Sequence, residues 1–122
     1  MTQEDYCSYE LSQLLNEKGF DGVRDYAYSN KGNYFEVDRG NFDEVYCLRP
    51  THQMAMKWLR EEKNIFIVIE PHVYDYVNEK NKSYVCSLWV GDNYYEYIES
   101  RDYPSHEEAV EAALKYALEN LI

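Results

Sequence analysis

Residues 105–122 constrain the fold more than any other segment, because they predict a helix with one buried face. The sequence Ser105-His106-Glu107-Glu108 is a capping-box pattern, in which the Ser105 hydroxyl accepts a hydrogen bond from a first-turn amide and Glu108 reaches back to the Ser105 amide. Apolar residues then recur at steps of three and four: Val110, Ala113, Leu114, Ala117, Leu118 and Leu121. This stripe predicts a helix that packs on a core.

Three strands are predicted before this helix: Ile65 to about Tyr76, Tyr84–Val90 and Tyr94–Glu99. In the first strand isoleucines alternate with Phe66 and Val68, so apolar side chains lie on both faces. This pattern predicts a strand that is covered on both sides or central in its sheet. Pro71 cannot donate a ladder hydrogen bond and is expected at an edge or a bulge. Residues 91–93 form the tight turn between the second and third strands.

Two further helices are predicted in the first half of the chain. The first begins at Ser8, its N-cap, and runs to Lys18, where Gly19 ends it in the left-handed conformation. The second begins after the N-cap Thr51 and ends at Asn64. Its apolar face comprises Met54, Ala55, Trp58 and Leu59, whereas Met56 and Lys57 are expected to point outward.

The segment 21–50 is rich in turn-forming residues and predicts only short strands, Tyr34–Val37 and Val45–Leu48, paired as a hairpin. A length of 122 residues suits one domain, 1–122. The predicted class is α+β. An N-terminal helix and an irregular segment with short strands fill residues 1–50. A helix, a three-stranded antiparallel sheet and a C-terminal helix fill residues 51–122, with the helices packed on one sheet face.

Charge excludes several classes of partner. The chain has 12 basic and 23 acidic residues, and its net charge of -11 is spread over both halves. Such a field repels phosphate backbones and anionic lipids, so direct nucleic-acid binding and membrane binding are not expected. The three scattered cysteines, Cys7, Cys47 and Cys86, favour reduced thiols in a cytoplasmic protein, with Cys86 as a core residue. No signal peptide or membrane-spanning segment is predicted.

No catalytic, cofactor-binding or metal-binding pattern is present in the sequence. The histidines His52, His72 and His106 form no ligand pair with each other or with a cysteine, which favours structural or surface roles. Helix capping accounts for Glu107 and Glu108 without catalysis. The sequence therefore predicts a protein that is not an enzyme and needs no cofactor.

Tyrosine is the residue type in clearest surplus, with 14 copies. Several tyrosines fall in the predicted strands, where they serve either cross-strand packing or a protein interface. The candidate interface, with its acidic rim, comprises Tyr74, Tyr76, Tyr94, Tyr95, Tyr97, Glu96 and Glu99. Trp58 and Trp89 are expected in the core.

From Thr51 onward the order helix, three antiparallel strands, helix resembles the double-stranded RNA-binding domain, and residues 105–118 resemble the last helix of that family in the spacing of small residues. The resemblance implies that both helices pack on one sheet face. In that family, lysines at the start of the last helix hold phosphates, but this sequence has His106, Glu107, Glu108 and Glu111 there. Carboxylates would repel the backbone, so the fold is expected without the RNA function.

The chain as a whole resembles a group of small uncharacterised proteins of gut bacteria and their phages or mobile elements. Matching words include Glu17-Lys18-Gly19-Phe20 and the segment 54–61. The group has no known activity, so the resemblance implies no site. The leading hypothesis is a non-enzymatic interaction module that binds a protein or a second copy of itself. An acidic nucleic-acid mimic that inhibits a DNA- or RNA-binding protein and a small enzyme with a fold-assembled site are the alternatives.

Overall fold

The computed structural model describes residues 5–21, 25–38, 40–73, 82–95 and 102–122. Its helices are α1 (Tyr9–Glu17), α2 (His52–Lys63) and α3 (His106–Asn120), with a short 3-10 turn at Phe42–Glu44. Its strands are β1 (Tyr26–Tyr28), β2 (Tyr34–Glu36), β3 (Cys47–Leu48), β4 (Ile65–Val73), β5 (Lys82–Val90) and β6 (Asn93–Tyr95). These elements confirm the α+β class.

The three helices begin where the sequence predicts. The hydroxyls of Ser8, Thr51 and Ser105 each accept a hydrogen bond from the amide three residues later, at 3.2, 3.1 and 3.1 Å. At α3 the second half of the capping box differs from the prediction, because the Glu108 carboxylate accepts a hydrogen bond from the Ser105 hydroxyl at 3.2 Å. Each cap satisfies an amide that has no partner within its helix.

The ends of α1 and α2 also follow the predicted residues. Gly19 has φ of 100°, and the Phe20 amide then folds back to donate to the Leu15 carbonyl at 2.9 Å. Asn64, after the last turn of α2, has φ of 56°. Its carbonyl accepts a hydrogen bond from Gly91 in the β5–β6 turn at 3.2 Å, which joins the end of α2 to the hairpin.

The larger sheet has the antiparallel order β4-β5-β6. Ile65 pairs with Val90, and Phe66 pairs with Trp89, which in turn pairs with Tyr94. Among the described strands β4 has a neighbour on one side only, so the prediction of a strand central in its sheet is wrong. The alternative, a strand covered on both faces, is contradicted by Phe66, which is 41% exposed. β5 is the central strand. Pro71 lies in β4, and its edge position confirms the prediction for this residue.

The core lies between the inner face of this sheet and the helices. α2 and α3 pack on that face, and α1 packs against α3. The predicted stripe of α3 is buried at Val110, Ala113, Leu114, Ala117 and Leu118, and Leu121 packs partly against the same core. The predicted face of α2 is partly wrong: Met56 packs against the core together with Ala55, Trp58 and Leu59, whereas Met54 is not among the residues that pack there. The buried face is therefore displaced around the helix from the one that the spacing indicates. Cys86 is buried, as predicted.

A second antiparallel sheet with the order β2-β1-β3 occupies the N-terminal segment. The predicted hairpin between Tyr34–Val37 and Val45–Leu48 is wrong, because β1, which the sequence did not indicate, lies between these two strands. The side chain of Asn16 joins α1 to β3 of this sheet. It bonds the Leu48 carbonyl at 3.3 Å and the Leu48 amide at 3.2 Å.

Tyrosines cluster around this small sheet and account for much of the surplus. The Arg49 guanidinium lies 4.0 Å from the ring centroid of Tyr6 and 4.0 Å from that of Tyr34. The Tyr28 hydroxyl donates to the Cys7 carbonyl at 2.7 Å, and Arg49 Nε donates to the same hydroxyl at 3.3 Å. The tyrosines therefore serve a structural role here that the sequence analysis did not assign.

Among the residues that the structure describes, no helix combines the length and the apolar character that crossing a membrane requires.

Candidate functional site

Three aromatic side chains lie side by side on the outer face of the larger sheet, the face opposite the helices. Phe66, Trp89 and Tyr94, one from each strand, are 41%, 43% and 47% exposed. The register pairs Phe66 with Trp89 and Trp89 with Tyr94, so the three residues form one row across the sheet. The ring centroids of Trp89 and Tyr94 are 4.8 Å apart. We call these three residues the aromatic row.

The surroundings of the aromatic row are partly apolar. The register places Val68 and Val85 on the same face, and both side chains are half-buried. Ser87, the partner of Val68, lies on this face as well and is buried. Glu70, directly opposite Val85, is exposed, and Asp92 is exposed in the turn beside the row. The face thus carries more apolar side chains than a solvated sheet face, with one buried serine and two exposed carboxylates among them.

The predicted interface residues are only partly described. Tyr94 belongs to the aromatic row. The backbone of Tyr95 pairs with Leu88, one residue out of step with the row. Five of the predicted residues lie outside the described part of the chain: Tyr74, Tyr76, Glu96, Tyr97 and Glu99.

The two tryptophans have different environments. Trp58 packs against the core, as predicted, with its ring centroid 5.7 Å from that of Phe20. The prediction that Trp89 is a core residue is wrong. The turn at residues 91–92 pairs Trp89 with Tyr94, and the β4–β5 ladder pairs Trp89 with Phe66. Because Ile65 is buried, its neighbour Phe66 and the partners of Phe66 lie on the outer face. The alternation of β4 and the position of the turn would together have predicted that Trp89 lies on the outer face.

A second candidate site lies on the other side of the molecule, among the helices. Cys7, His52 and Glu111 bring one sulfur, one nitrogen and one oxygen atom within 4.8 Å of one another. His52 Nε2 is 3.2 Å from Glu111 Oε2, and the Ser8 amide donates to Glu111 Oε1 at 3.0 Å. We call Cys7, His52 and Glu111 the Cys-His-Glu cluster. No local sequence pattern predicts a shared site for these three residues.

Backbone pairing between the chain before α1 and the start of α2 builds this cluster. The Cys7 amide donates to the Pro50 carbonyl at 2.9 Å, and the His52 amide donates to the Asp5 carbonyl at 2.8 Å. Cys7 and His52 thereby lie next to each other, although 44 residues separate Cys7 from the N-cap Thr51. Glu111, one turn inside α3, completes the group.

Burial and hydrogen bonding set the protonation of the cluster. Cys7 is 0% exposed and His52 is 6% exposed. Burial, with a contribution from the charge of Glu111, raises the pKa of the Cys7 thiol. Burial alone would also raise the pKa of Glu111, but hydrogen bonds with His52 and Ser8 outweigh it, and the pKa of this carboxyl is lowered. The cluster thus contains a neutral thiol beside a stabilised carboxylate.

A cavity of about 520 Å³ adjoins the cluster at the start of α3. It is lined by Asp5, Tyr6, His52, Tyr103, Pro104, Glu107, Glu108 and Glu111. Four of these side chains are carboxylates and none is a lysine or arginine, so the described lining favours cations over anions. The predicted capping residues Glu107 and Glu108 therefore also contribute to the field of this cavity.

No protein-family model matches the chain, and neither a curated protein nor a solved structure is detectably similar to it.

Proposed function

We propose that this protein is a non-enzymatic interaction module that binds a partner protein through the aromatic row. The observation that carries the proposal is the exposure of Phe66, Trp89 and Tyr94, each above two fifths, at adjacent positions of three strands. Aromatic side chains are enriched at protein interfaces and among the residues that dominate binding energy. A solvated sheet face would carry polar residues at these positions.

The aromatic row cannot supply a stable complex by itself. Complete burial of a large apolar side chain contributes about 1.5–3 kcal/mol, so burying the exposed half of three such side chains contributes roughly 3 kcal/mol. Association costs at least about 4 kcal/mol in lost freedom of motion. The partner must therefore make further contacts, and the many acidic side chains of this protein are the groups available to make them.

A partner with a basic surface around an apolar centre fits these requirements best. The net charge is -11, and the exposed carboxylates of Glu70 and Asp92 lie near the aromatic row. Opposite charges would steer the partner and hold the rim of the contact. Two copies of this chain would each bring a charge of -11, which disfavours a homodimer through the same face.

We further propose that the likeness to the double-stranded RNA-binding domain extends to the order of elements and not to RNA binding. Glu107 and Glu108 are exposed at the start of α3, where the RNA-binding family needs cations. An acidic cytoplasmic protein of phage or mobile-element type that binds a basic protein is consistent with this surface.

The enzyme alternative is less well supported. A cysteine nucleophile must be an accessible thiolate. Cys7 is 0% exposed, and burial raises the pKa of its thiol. The histidine beside it already bonds Glu111 through Nε2.

Site-specific photocrosslinking tests the interaction module. A benzophenone amino acid replaces Trp89 in one variant and Tyr46 in a control. Tyr46 is also aromatic and 55% exposed, but its backbone amide bonds the Tyr28 carbonyl in the small N-terminal sheet. We expect a specific adduct from position 89 and none from position 46. An adduct with a second copy would instead indicate a homodimer.

The captured protein, once purified, gives the quantitative test. The Trp58→Phe variant leaves Trp89 as the single tryptophan, so its fluorescence reports directly on the row. We expect the Phe66→Ala/Tyr94→Ala variant to bind at least about tenfold more weakly, and Tyr46→Ala to bind unchanged. The proposal would be contradicted if the Phe66→Ala/Tyr94→Ala variant bound the partner as tightly as wild type and if binding disappeared at physiological salt. That result would favour a nucleic-acid mimic that uses the carboxylates alone.

A further inference from the structure

We propose that the Cys-His-Glu cluster is a binding site for a divalent transition-metal ion, with zinc as the ion that fits its donor atoms best. The site is independent of the aromatic row, because its residues lie among the helices and the row lies on the outer face of the sheet.

The donor set is the first argument for a metal. Zinc binds cysteine sulfur, histidine nitrogen and carboxylate oxygen, at about 2.0–2.3 Å, in tetrahedral geometry. Donor atoms around such an ion lie about 3.5 Å apart. His52 Nε2 and Glu111 Oε2 are 3.2 Å apart, and all three donor atoms lie within 4.8 Å. A contraction of up to about 1.3 Å at the widest separation therefore completes three corners of a tetrahedron.

Cys7 is a buried core residue, and its sulfur lies beside a histidine and a carboxylate. A hydrogen-bonded pair of His52 and Glu111 satisfies both of those side chains without any thiol. The described polar contact of Cys7 Sγ is with the Thr51 carbonyl at 3.8 Å, which is a weak interaction. A metal ion gives the sulfur a strong bond and stabilises it as a thiolate in spite of its burial.

The surroundings hold the donors in place. The Ser8 amide donates to Glu111 Oε1, which leaves Oε2 toward His52. The backbones of Cys7 and His52 are fixed by hydrogen bonds with Pro50 and Asp5. Outer contacts of this kind orient ligands at metal sites and reduce the cost of assembling them.

The adjoining cavity provides a path for the ion. His52 and Glu111 are part of its lining, and Asp5, Glu107 and Glu108 add further negative charge around it. These carboxylates raise the local concentration of divalent cations. Three ligands from the protein leave the fourth tetrahedral position to water or to a small ligand that enters from the cavity.

Cobalt(II) spectroscopy tests the site directly. Metal-free protein without an affinity tag is titrated with Co²⁺ and then with Zn²⁺. We expect a near-ultraviolet thiolate-to-cobalt charge-transfer band together with tetrahedral ligand-field bands, both removed by Zn²⁺. Cys7→Ser should abolish the charge-transfer band, whereas Cys47→Ser, a matched variant of another buried cysteine, should retain it.

Glu111→Gln and thermal stability give independent readouts if Cys7→Ser folds poorly. We expect the Glu111→Gln variant to bind Co²⁺ at least about tenfold more weakly than wild type, and the same Zn²⁺ concentration to raise the melting temperature of wild type more than that of this variant. The proposal would be overturned if Co²⁺ bound without a thiolate charge-transfer band, or if that band persisted in Cys7→Ser. It would also be overturned if Zn²⁺ left the melting temperature of wild type unchanged. The Trp89→Ala variant should retain the full cobalt spectrum, which separates this result from the interaction proposal.

Discussion

Arg49 organises the N-terminal sheet more than any other single residue. Its guanidinium stacks between the rings of Tyr6 and Tyr34, and its Nε atom donates to the Tyr28 hydroxyl. These contacts connect the chain before α1 with β1 and β2. A planar, delocalised cation can stack on two rings at once, whereas a compact ammonium group cannot reproduce that arrangement.

We therefore expect Arg49→Lys to reduce the free energy of unfolding by about 1–2 kcal/mol even though the charge is retained. Urea unfolding followed by circular dichroism measures the change. Arg60→Lys is the control, because Arg60 is exposed on the last turn of α2 and should tolerate the same exchange. Equal stability of wild type and Arg49→Lys would show that the stacking contributes nothing.

The chemistry of Cys47 gives a prediction about pH. Burial raises the pKa of this thiol from 9.0 to about 11, which leaves roughly a hundredfold less thiolate at neutral pH than an ordinary cysteine has. Iodoacetamide should therefore modify Cys47 at least about a hundredfold more slowly in the native protein than in urea at pH 8.

Peptide mass spectrometry of the alkylated protein separates Cys47 from the other cysteines. The rate at which iodoacetamide modifies Cys47 in the native protein should increase as pH rises toward 11. In urea the same rate should already increase near pH 9. For the same reason the contribution of this thiol to stability is fully present below pH 9.0 and is lost as pH rises toward 11. Equal rates in both states would contradict the shift.

At this scale the Cys-His-Glu cluster could not be predicted from the sequence. Metal motifs are recognised by short spacings within one element, but Cys7 lies before α1, His52 in α2 and Glu111 in α3. Their proximity depends on the backbone pairing of residues 5–7 with residues 50–52, which has no local pattern. The capping role of Ser105, by contrast, is local and was predicted from four consecutive residues.

Among the elements, the junction of α2 and β4 is the most specific. Asn64 has a left-handed backbone, and its carbonyl accepts the hydrogen bond from Gly91 that anchors the β5–β6 turn. A side chain with a Cβ atom is strained in this conformation, although asparagine tolerates it better than most residues.

We expect Asn64→Ala to lower the free energy of unfolding by about 1 kcal/mol and Asn64→Gly to leave it unchanged or slightly higher. Thermal unfolding of both variants measures the difference. Gln53→Ala, an exposed position within α2, controls for the loss of a polar side chain. If alanine and glycine behaved alike, the backbone at Asn64 would not be left-handed in solution.

The elements themselves were predictable to different degrees. Long elements with an apolar stripe and a cap, such as α2 and α3, follow from local sequence. β1 did not, because Tyr26–Tyr28 is too short to show alternation. The length of β4 and its two apolar faces indicated a covered strand, whereas Phe66 is part of the exposed aromatic row. Apolar residues kept for binding cannot be told from core residues by periodicity.

For the molecule as a whole, self-repulsion is the main electrostatic effect. With a net charge of -11, the compact state holds like charges closer together than the unfolded chain does. We expect the melting temperature to rise by a few degrees when NaCl increases from about 0.01 M to about 0.15 M, because the Debye length falls from about 30 to about 8 Å.

Glu17→Lys provides the matched comparison for this salt effect. Glu17 is exposed in the last turn of α1, and its replacement changes the net charge from -11 by +2, to -9. The variant should be more stable than wild type at low salt and should gain less from added NaCl. A melting temperature that falls as NaCl is added would show that attractive ion pairs outweigh the repulsion.

The position of α3 within the core has a consequence for synthesis of the chain on the ribosome. α3 buries six residues against the inner sheet face and the other helices: Ala109, Val110, Ala113, Leu114, Ala117 and Leu118. It follows every strand of the sheet that it covers. A nascent chain that has emerged only through β6 would therefore expose Ile65, Cys86 and Leu88 to water. The core on this sheet face can close only after α3 has left the exit tunnel, and until then the exposed apolar side chains are a surface to which chaperones can bind.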